Sequence, residues 1–434
     1  MTPTRFTVAL IALWLLIAVA TAFWPESFIV WKVSGIVLLV GLLVDAIQVY
    51  ARPDIEIQRT VNHNLPIYSW SKVSQRIQNR SNKNLHLLVR DHYPSGFLVD
   101  EKPASFDILP GQWIELNYRI KPLSRGNYEF AGTDILRRSP LCLWQRKYFD
   151  SDQQPVRIYP NFADISRYIL LATDNRLSQL GIKKLQRRGE GNEFHQLREY
   201  YPGDSLKQID WKASSRMRKL ISREYQDERD QQIIFMLDCG RRMRHSEVNI
   251  SHLDQALNAM LLLSYIAVQQ GDAVGFKSFA GEARWMPPQK GAHTVNAILN
   301  KTYDLPSTLD LADYLSAAQD ILKLQRKRAL IVLISNTRDD DLDNISAAIR
   351  LLNTRHLVVL ADLKEQSVSE IQKRTISDLD SALEFHASEQ FIHQRKENHR
   401  QLRHLGVSCL DVTAAQLPIY LVNEYLAIKR SRRL

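Results

Sequence analysis

The pattern of apolar residues predicts a multidomain fold. It comprises a two-helix transmembrane hairpin over 1–52, an antiparallel β-sandwich over 53–160, a connector over 161–230 and a doubly wound parallel α/β sheet over 231–434. Three observations carry this reading. Two long apolar runs lie before residue 51, short strands with period-two alternation fill the next hundred residues, and apolar strands alternate with helical segments after Gln231. A chain of 434 residues is too long for one core, so several domains are expected.

Phe6 to Pro25 contains no charged residue and is long enough to cross a bilayer as a helix. A cleaved signal peptide is the rival reading, with Arg5 as its basic start and Ala20-Thr21-Ala22 as the cleavage site. The second run, Phe28 to Tyr50, argues for a hairpin turning at Trp24-Pro25-Glu26-Ser27; Lys32 and Asp45 then have to snorkel or face a partner helix. Arg5 precedes the first run, Arg52 and Arg59 follow the second, and the turn carries no Lys or Arg. The positive-inside rule therefore places residues 53–434 in the cytoplasm, beneath the inner membrane, with residues 6–50 in contact with lipid.

Segments such as SKVSQRIQN, LHLLVRD and QWIELNYRI alternate apolar and polar residues between turns, the pattern of strands with one buried face. Trp113, Tyr118, Tyr128 and Phe130 are expected to be core and edge aromatics rather than a ligand platform. In the last domain QQIIFMLD, DAVGFKSFA, RALIVLIS, RHLVVLAD and GVSCLDV read as strands buried on both faces. Helices are expected at 253–270, 294–300, 309–327, 341–352, 365–405 and 414–433. Functional groups of such a sheet gather at the carboxyl ends of its strands, and the first of these ends is Asp238.

The connector is expected to be mostly helical or irregular, and it carries an ordered series: Gly191, Glu193 and Phe194; Leu197, Arg198 and Tyr200; Pro202, Gly203 and Asp204; Ile209 and Trp211; and Arg216 after a run of small residues. This order resembles the signature of bacterial domain-of-unknown-function family fifty-eight. Arg125-Gly126-Asn127-Tyr128 and Ser139-Pro140-Leu141 resemble weaker upstream elements of that family. Trp211 and Tyr200 are expected to be buried against a neighbouring domain, with Arg198 and Asp210 paired locally.

The resemblance extends to the von Willebrand factor A domain, whose metal-dependent adhesion site opens with D-x-S-x-S at the position of Asp238. Here Asp238-Cys239-Gly240-Arg241-Arg242 puts Gly240 and Arg242 in place of the hydroxyls, Thr308 in place of the pattern's threonine, and Asn336 where it has an aspartate. Too few oxygen ligands survive for Mg²⁺. Asp238, Arg241, Arg242, Thr308 and Asn336 are thus read as a metal-free, partner-facing edge. In a purely structural reading Asp238 is instead a turn carboxylate paired with Arg241 or Arg242.

The net charge of +10 suits a protein held beside an anionic membrane, and the basic end Lys429-Arg430-Ser431-Arg432-Arg433 suits it too. No nucleic-acid module accompanies the charge. Cys142, Cys239 and Cys409 form no paired framework and are expected to be buried thiols; His393, His399 and His404 are expected on a solvated helix. Without a phosphate loop, HExxH or GxSxG motif, the chain is expected not to be an enzyme and to need no cofactor. The alternatives are a hydrolase using His195, Asp204 and Asp210, or a metal-dependent binding protein. The resemblance implies an adaptor for complex assembly or maturation, working with a MoxR-type AAA+ ATPase and an unidentified client.

Overall fold

The computed structural model describes residues 1–21, 23–24, 28–50, 54–100, 104–160, 193–201, 204, 206–226, 231–247 and 250–431. Gly191, Pro202 and Gly203 of the signature lie outside the described residues, and of Glu193, Phe194 and His195 only the backbone is described. The chain divides into two compact units, Met1–Asn161 and Phe162–Leu434.

In the first unit α1 spans Arg5–Ala20, and Thr4 caps it by accepting from Thr7 N at 3.3 Å. α2 spans Phe28–Tyr50 and, with a mean hydropathy of 2.1, is long and apolar enough to cross a membrane. α1 falls short of the expected span: at 1.5 Å per residue its 16 residues reach about 24 Å, against a hydrocarbon core of about 30 Å. Trp14 stacks on Trp31 with ring centroids 5.2 Å apart. Of the two charges of the second run, Lys32 is exposed and Asp45 neither snorkels nor awaits another helix. Lys32 lies over the Phe28 ring, and Asp45 is fully buried, accepting from the amides of Leu141 and Leu143.

Strands β1 (Thr2–Pro3), β2 (Ile55–Thr60), β3 (Asn64–Pro66), β4 (Ser71–Asn79), β5 (Leu85–His92) and β6 (Phe97–Asp100) precede β7 (Ala104–Ile108), β8 (Trp113–Pro122), β9 (Gly126–Phe130), β10 (Gly132–Arg138), β11 (Trp144–Asp150) and β12 (Gln154–Tyr159). They form sheets in the orders β1-β11-β10-β5-β7, β2-β4-β8-β6 and β3-β12-β9, with all pairs antiparallel except β3 with β12. Ile57, Ile77 and Ile114 of the second sheet meet Leu87, Val89 and Ile135 of the first, so alternation on each strand buries one face. Arg59 does not act as a flanking surface charge. It is buried in a two-point pair with Asp91, whose carboxylate also accepts from Tyr118 and Thr133. Tyr118 and Phe130 are buried, while Trp113 is half-exposed beneath Arg76.

In the second unit β13 (Glu193–Glu199) and β14 (Ile221–Gln226) form an antiparallel ribbon that encloses α3 (Trp211–Met217). Among the described residues the signature is therefore a strand pair with a short helix between; residues 161–192 and 227–230 of the expected connector lie outside them. The main sheet comprises β15 (Gln232–Asp238), β18 (Ala273–Phe279), β19 (Trp285–Gln289), β20 (Leu330–Ser335), β21 (Leu357–Lys364) and β22 (Ser408–Thr413) in the order β19-β18-β15-β20-β21-β22. The short pair β16 (Ser246–Glu247) and β17 (Ile250–Ser251) lies in the loop after β15.

All main-sheet pairs are parallel except β18 with β19. β19 escaped prediction because Pro287 and Pro288 break the strand pattern, and prolines of this kind are tolerated on an edge.

Helices α4 (His252–Gln269), α5 (His293–Thr302) and α10 (Leu417–Ser431) cover one face of the sheet; α6 (Tyr314–Leu324), α7 (Leu342–Asn353) and the end of α9 (Leu379–His404) cover the other. Successive residues of β15 feed the two cores in turn, Ile233, Phe235 and Leu237 on one side and Ile234 and Met236 on the other. The expected helix over 365–405 is two helices, α8 (Gln366–Ile371) and α9. Asp378 starts the second by accepting from Ser381 N at 2.8 Å.

Candidate functional site at the carboxyl edge of the sheet

Parallel pairing of β15 with β20 brings Asp238 and Ser335, each the last residue of its strand, to the same edge. Ser335 Oγ donates to Asp238 Oδ2 at 2.6 Å, Gly240 N donates to Asp238 Oδ1 at 2.7 Å, and the Tyr314 hydroxyl lies 2.8 Å from Ser335 Oγ. Burial pushes the Asp238 carboxyl above the usual carboxylate range, against the pull of these two bonds and of Arg242. Neither arginine is its ion-pair partner: Arg242 pairs with Asp341, and Arg241 is exposed, donating its backbone N–H to Asp310 O at 3.1 Å.

Thr308 Oγ1 donates to Ala280 O at 2.6 Å, which occupies its proton. A side chain at Gly240 has no room, since its Cβ would sit 2.8 Å from Asp310 O and 3.0 Å from Asp238 Oδ1. Asp238, Gly240, Arg241, Arg242, Asp310 and Asp341 line a small crevice. Asn336, the fifth predicted residue, is buried and faces His252, 3.5 Å from Asn336 Nδ2 to His252 Nδ1. The structure thus gathers four of the predicted residues at the strand end and directs the other toward α4. Ser335, Tyr314 and Asp341 were missed because their part depends on contacts far along the chain.

In the signature ribbon Arg198 grips Asp204 through two nitrogens, each 2.8 Å from a carboxylate oxygen, and Tyr201 N adds a third bond at 3.0 Å. The Arg198 bonds, then the Tyr201 bond, hold the Asp204 carboxyl below its ordinary value. Asp210 pairs with Arg223 rather than with Arg198, and caps α3 by accepting from Ala213 N at 3.0 Å. Ile209 is buried and Tyr200 half-buried. Trp211 is not buried as expected: it begins the short helix and is 68% exposed, in the company of exposed Leu197, Tyr201, Leu206, Arg216 and Met217.

Most of this signature ribbon, together with the strand that ends at Asp238, is matched by a family model. Residues 196–405 match the family described as protein of unknown function DUF58. This segment is similar to that family. Uncharacterized protein YeaD of Bacillus subtilis (strain 168) is 19% identical over 303 residues, 66% of this chain and 70% of that protein.

Likenesses to solved structures are slight. Proximal thread matrix protein 1 from the mussel byssus is 11% identical with a TM-score of 0.29, over 45% of this chain and 46% of that one, so the chain spans less than half of it. The CARDB domain of the PF1109 protein from Pyrococcus furiosus, in complex with di-metal ions, is 10% identical with a TM-score of 0.18, over 24% and 88%. Neither score carries an argument about fold or function.

The matched segment, with Asp411 of the strand that follows it, also holds a buried polar network not expected from the sequence. Arg395 of α9 lies 2.8 Å from Asp362 and 2.9 Å from Asp411, and donates to Thr337 O and Leu363 O. His399, expected to be solvated, is buried with Nε2 2.7 Å from Asp362 Oδ2. Burial alone would raise the Asp362 carboxyl; the Arg395 charge, His399 and the Thr337 amide outweigh it and hold the group below its ordinary value. Of the cysteines, Cys239 and Cys409 are buried, the latter thiol pushed up to about 12 by burial, whereas Cys142 is exposed.

Proposed function

We propose that this chain is a membrane-anchored cytoplasmic adaptor whose DUF58 segment, an α/β domain of von Willebrand factor A type, binds protein partners without catalysing a reaction. Its partner is an AAA+ ATPase of the MoxR type, and its work is the assembly or maturation of a client complex. One observation carries the reading: side chains typical of a core, the signature's Leu197 and Trp211 with their neighbours Tyr201, Leu206 and Met217, are exposed in and around the ribbon. Exposed aromatic and apolar groups rimmed by ordered charge, here Arg198 with Asp204, are the chemistry of a protein-docking surface. The sheet order, with Asp238 closing the first strand, supports the von Willebrand factor A assignment. The apolar helix α2, with α1 packed on it, supports the anchor.

The test is photo-crosslinking from position 211 in native membranes. Nucleotide-sensitive capture of an AAA+ ATPase, weakened by Tyr201→Ala, is expected; capture of lipid alone would sink the reading. Orientation is tested separately by placing a cysteine at exposed Ser95 in a Cys142→Ser background. The cytoplasmic placement expects no labelling by an impermeant reagent in intact cells.

A further inference from the structure

The loop that leaves β15 carries a second group of side chains, separate from the Asp238 edge. β16 and β17 pair antiparallel, Ser246 with Ser251 and Glu247 with Ile250, and His252 N donates to His245 O at 2.8 Å. This fold-back brings His252, which follows the strand pair, beside His245 and Glu247 at its start. One ligand atom from each lies within 4.8 Å of the others. His252 Nε2 is 3.7 Å and His245 Nε2 4.0 Å from Glu247 Oε1, and the two rings meet edge to face with centroids 4.9 Å apart.

His252 supplies an independent observation. Its side chain is fully buried, yet Nε2 has no hydrogen-bond partner, a costly state for a ring nitrogen. Its separation from Glu247 is too long for a hydrogen bond and too short for a water between them. The rest of the cluster is held in place: Gln366 N donates to Glu247 Oε1 at 2.5 Å, and Nδ1 of His252 faces the Asn336 amide. An amide turned about its last torsion offers Oδ1 to an Nδ1–H, the tautomer that leaves Nε2 free as a ligand.

We propose that His245, Glu247 and His252 bind one divalent transition metal ion of the zinc class. Two imidazoles and one carboxylate suit zinc, whereas magnesium and calcium require mainly oxygen donors. Ligand atoms around a tetrahedral zinc ion lie about 3.4 Å apart, so the observed 3.7 and 4.0 Å need only a small closure. Three protein ligands leave the fourth position to water or to a side chain of a docked protein. His245, the most exposed of the three, is the side of entry, with 40% of its side chain accessible against 15% for Glu247 and none for His252. Asn336 acts here as a positioning residue through the His252 ring.

The test uses the purified full chain in detergent, stripped by a chelator and titrated with Zn²⁺ against a chromophoric competitor; Co²⁺ then reports geometry by its visible absorption. One equivalent of Zn²⁺ and a four-coordinate Co²⁺ spectrum are expected. Because His252 is buried and its replacement can unfold the loop, His245→Ala and Glu247→Gln are the decisive variants. Each is expected to lower zinc affinity more than about 100-fold at an unchanged unfolding midpoint, while Asn336→Ala lowers it by about 10- to 100-fold. Asp238→Asn should keep the ion. No uptake by the unaltered chain, equal affinity in His245→Ala and Glu247→Gln, or loss of zinc in Asp238→Asn would each overturn the assignment.

Discussion

Asp45 Oδ1 accepts a hydrogen bond from Leu141 N at 3.1 Å, and Oδ2 accepts from Leu143 N at 3.2 Å, so a carboxylate of the apolar helix α2 caps the turn between β10 and β11. Thr4 and Thr7, at the start of α1, donate to the carbonyls of Cys142 and Leu143 in the same turn. Asp45→Ala leaves two amides without their acceptor, at about 1–3 kcal/mol for each buried group left unpaired. Thermal unfolding of the full chain in detergent should show a clear loss. An unchanged midpoint would mean that the carboxylate is dispensable.

Asp238 titrates in the opposite sense to Asp362. Its carboxyl is raised in the folded chain, so between the unfolded value of about 3.9 and the folded value the native state holds more protons than the unfolded state. Stability therefore falls as pH rises through that window. Asp238→Asn lacks this loss, and denaturant midpoints of variant and parent should diverge in the variant's favour as pH rises above about 4. Parallel pH profiles would contradict the burial argument.

Gly240→Ser tests the crowding at the strand end. The new Cβ would lie 2.8 Å from a backbone oxygen and 3.0 Å from the Asp238 carboxylate, so the loop has to move. Overpacking of this kind costs about 1–3 kcal/mol. The same variant is expected to show no Mg²⁺ binding in calorimetry, because the added hydroxyl cannot take its place beside Asp238.

Arg395→Ala removes the main cation facing Asp362, whose side chain is fully buried. Breaking a buried pair on one side costs about 3–5 kcal/mol, and urea unfolding should register it. In the unaltered chain the depressed Asp362 carboxyl contributes stability that is present above about pH 3.9 and lost as pH falls toward its folded value. Asp362→Asn should flatten that acid limb.

Local periodicity made much of the architecture legible. The long apolar stretch of α2, the alternation along β4, β5 and β8, and the doubly buried runs of β15, β20 and β21 each record in consecutive residues which face meets water. The signature likewise marked the DUF58 segment and led to the strand that ends at Asp238.

Periodicity cannot say which distant group answers a polar side chain, because burial of charge depends on a partner supplied by tertiary contact. That is why Arg59 and Arg395, ordinary surface residues by type, are buried against Asp91 and Asp362, while Arg242 meets Asp341 instead of Asp238. It is also why Trp211, apolar enough for a core, stands exposed at the start of a seven-residue helix. The clustering of His245, Glu247 and His252 arises in the same way: only the β16–β17 fold-back brings their ligand atoms together.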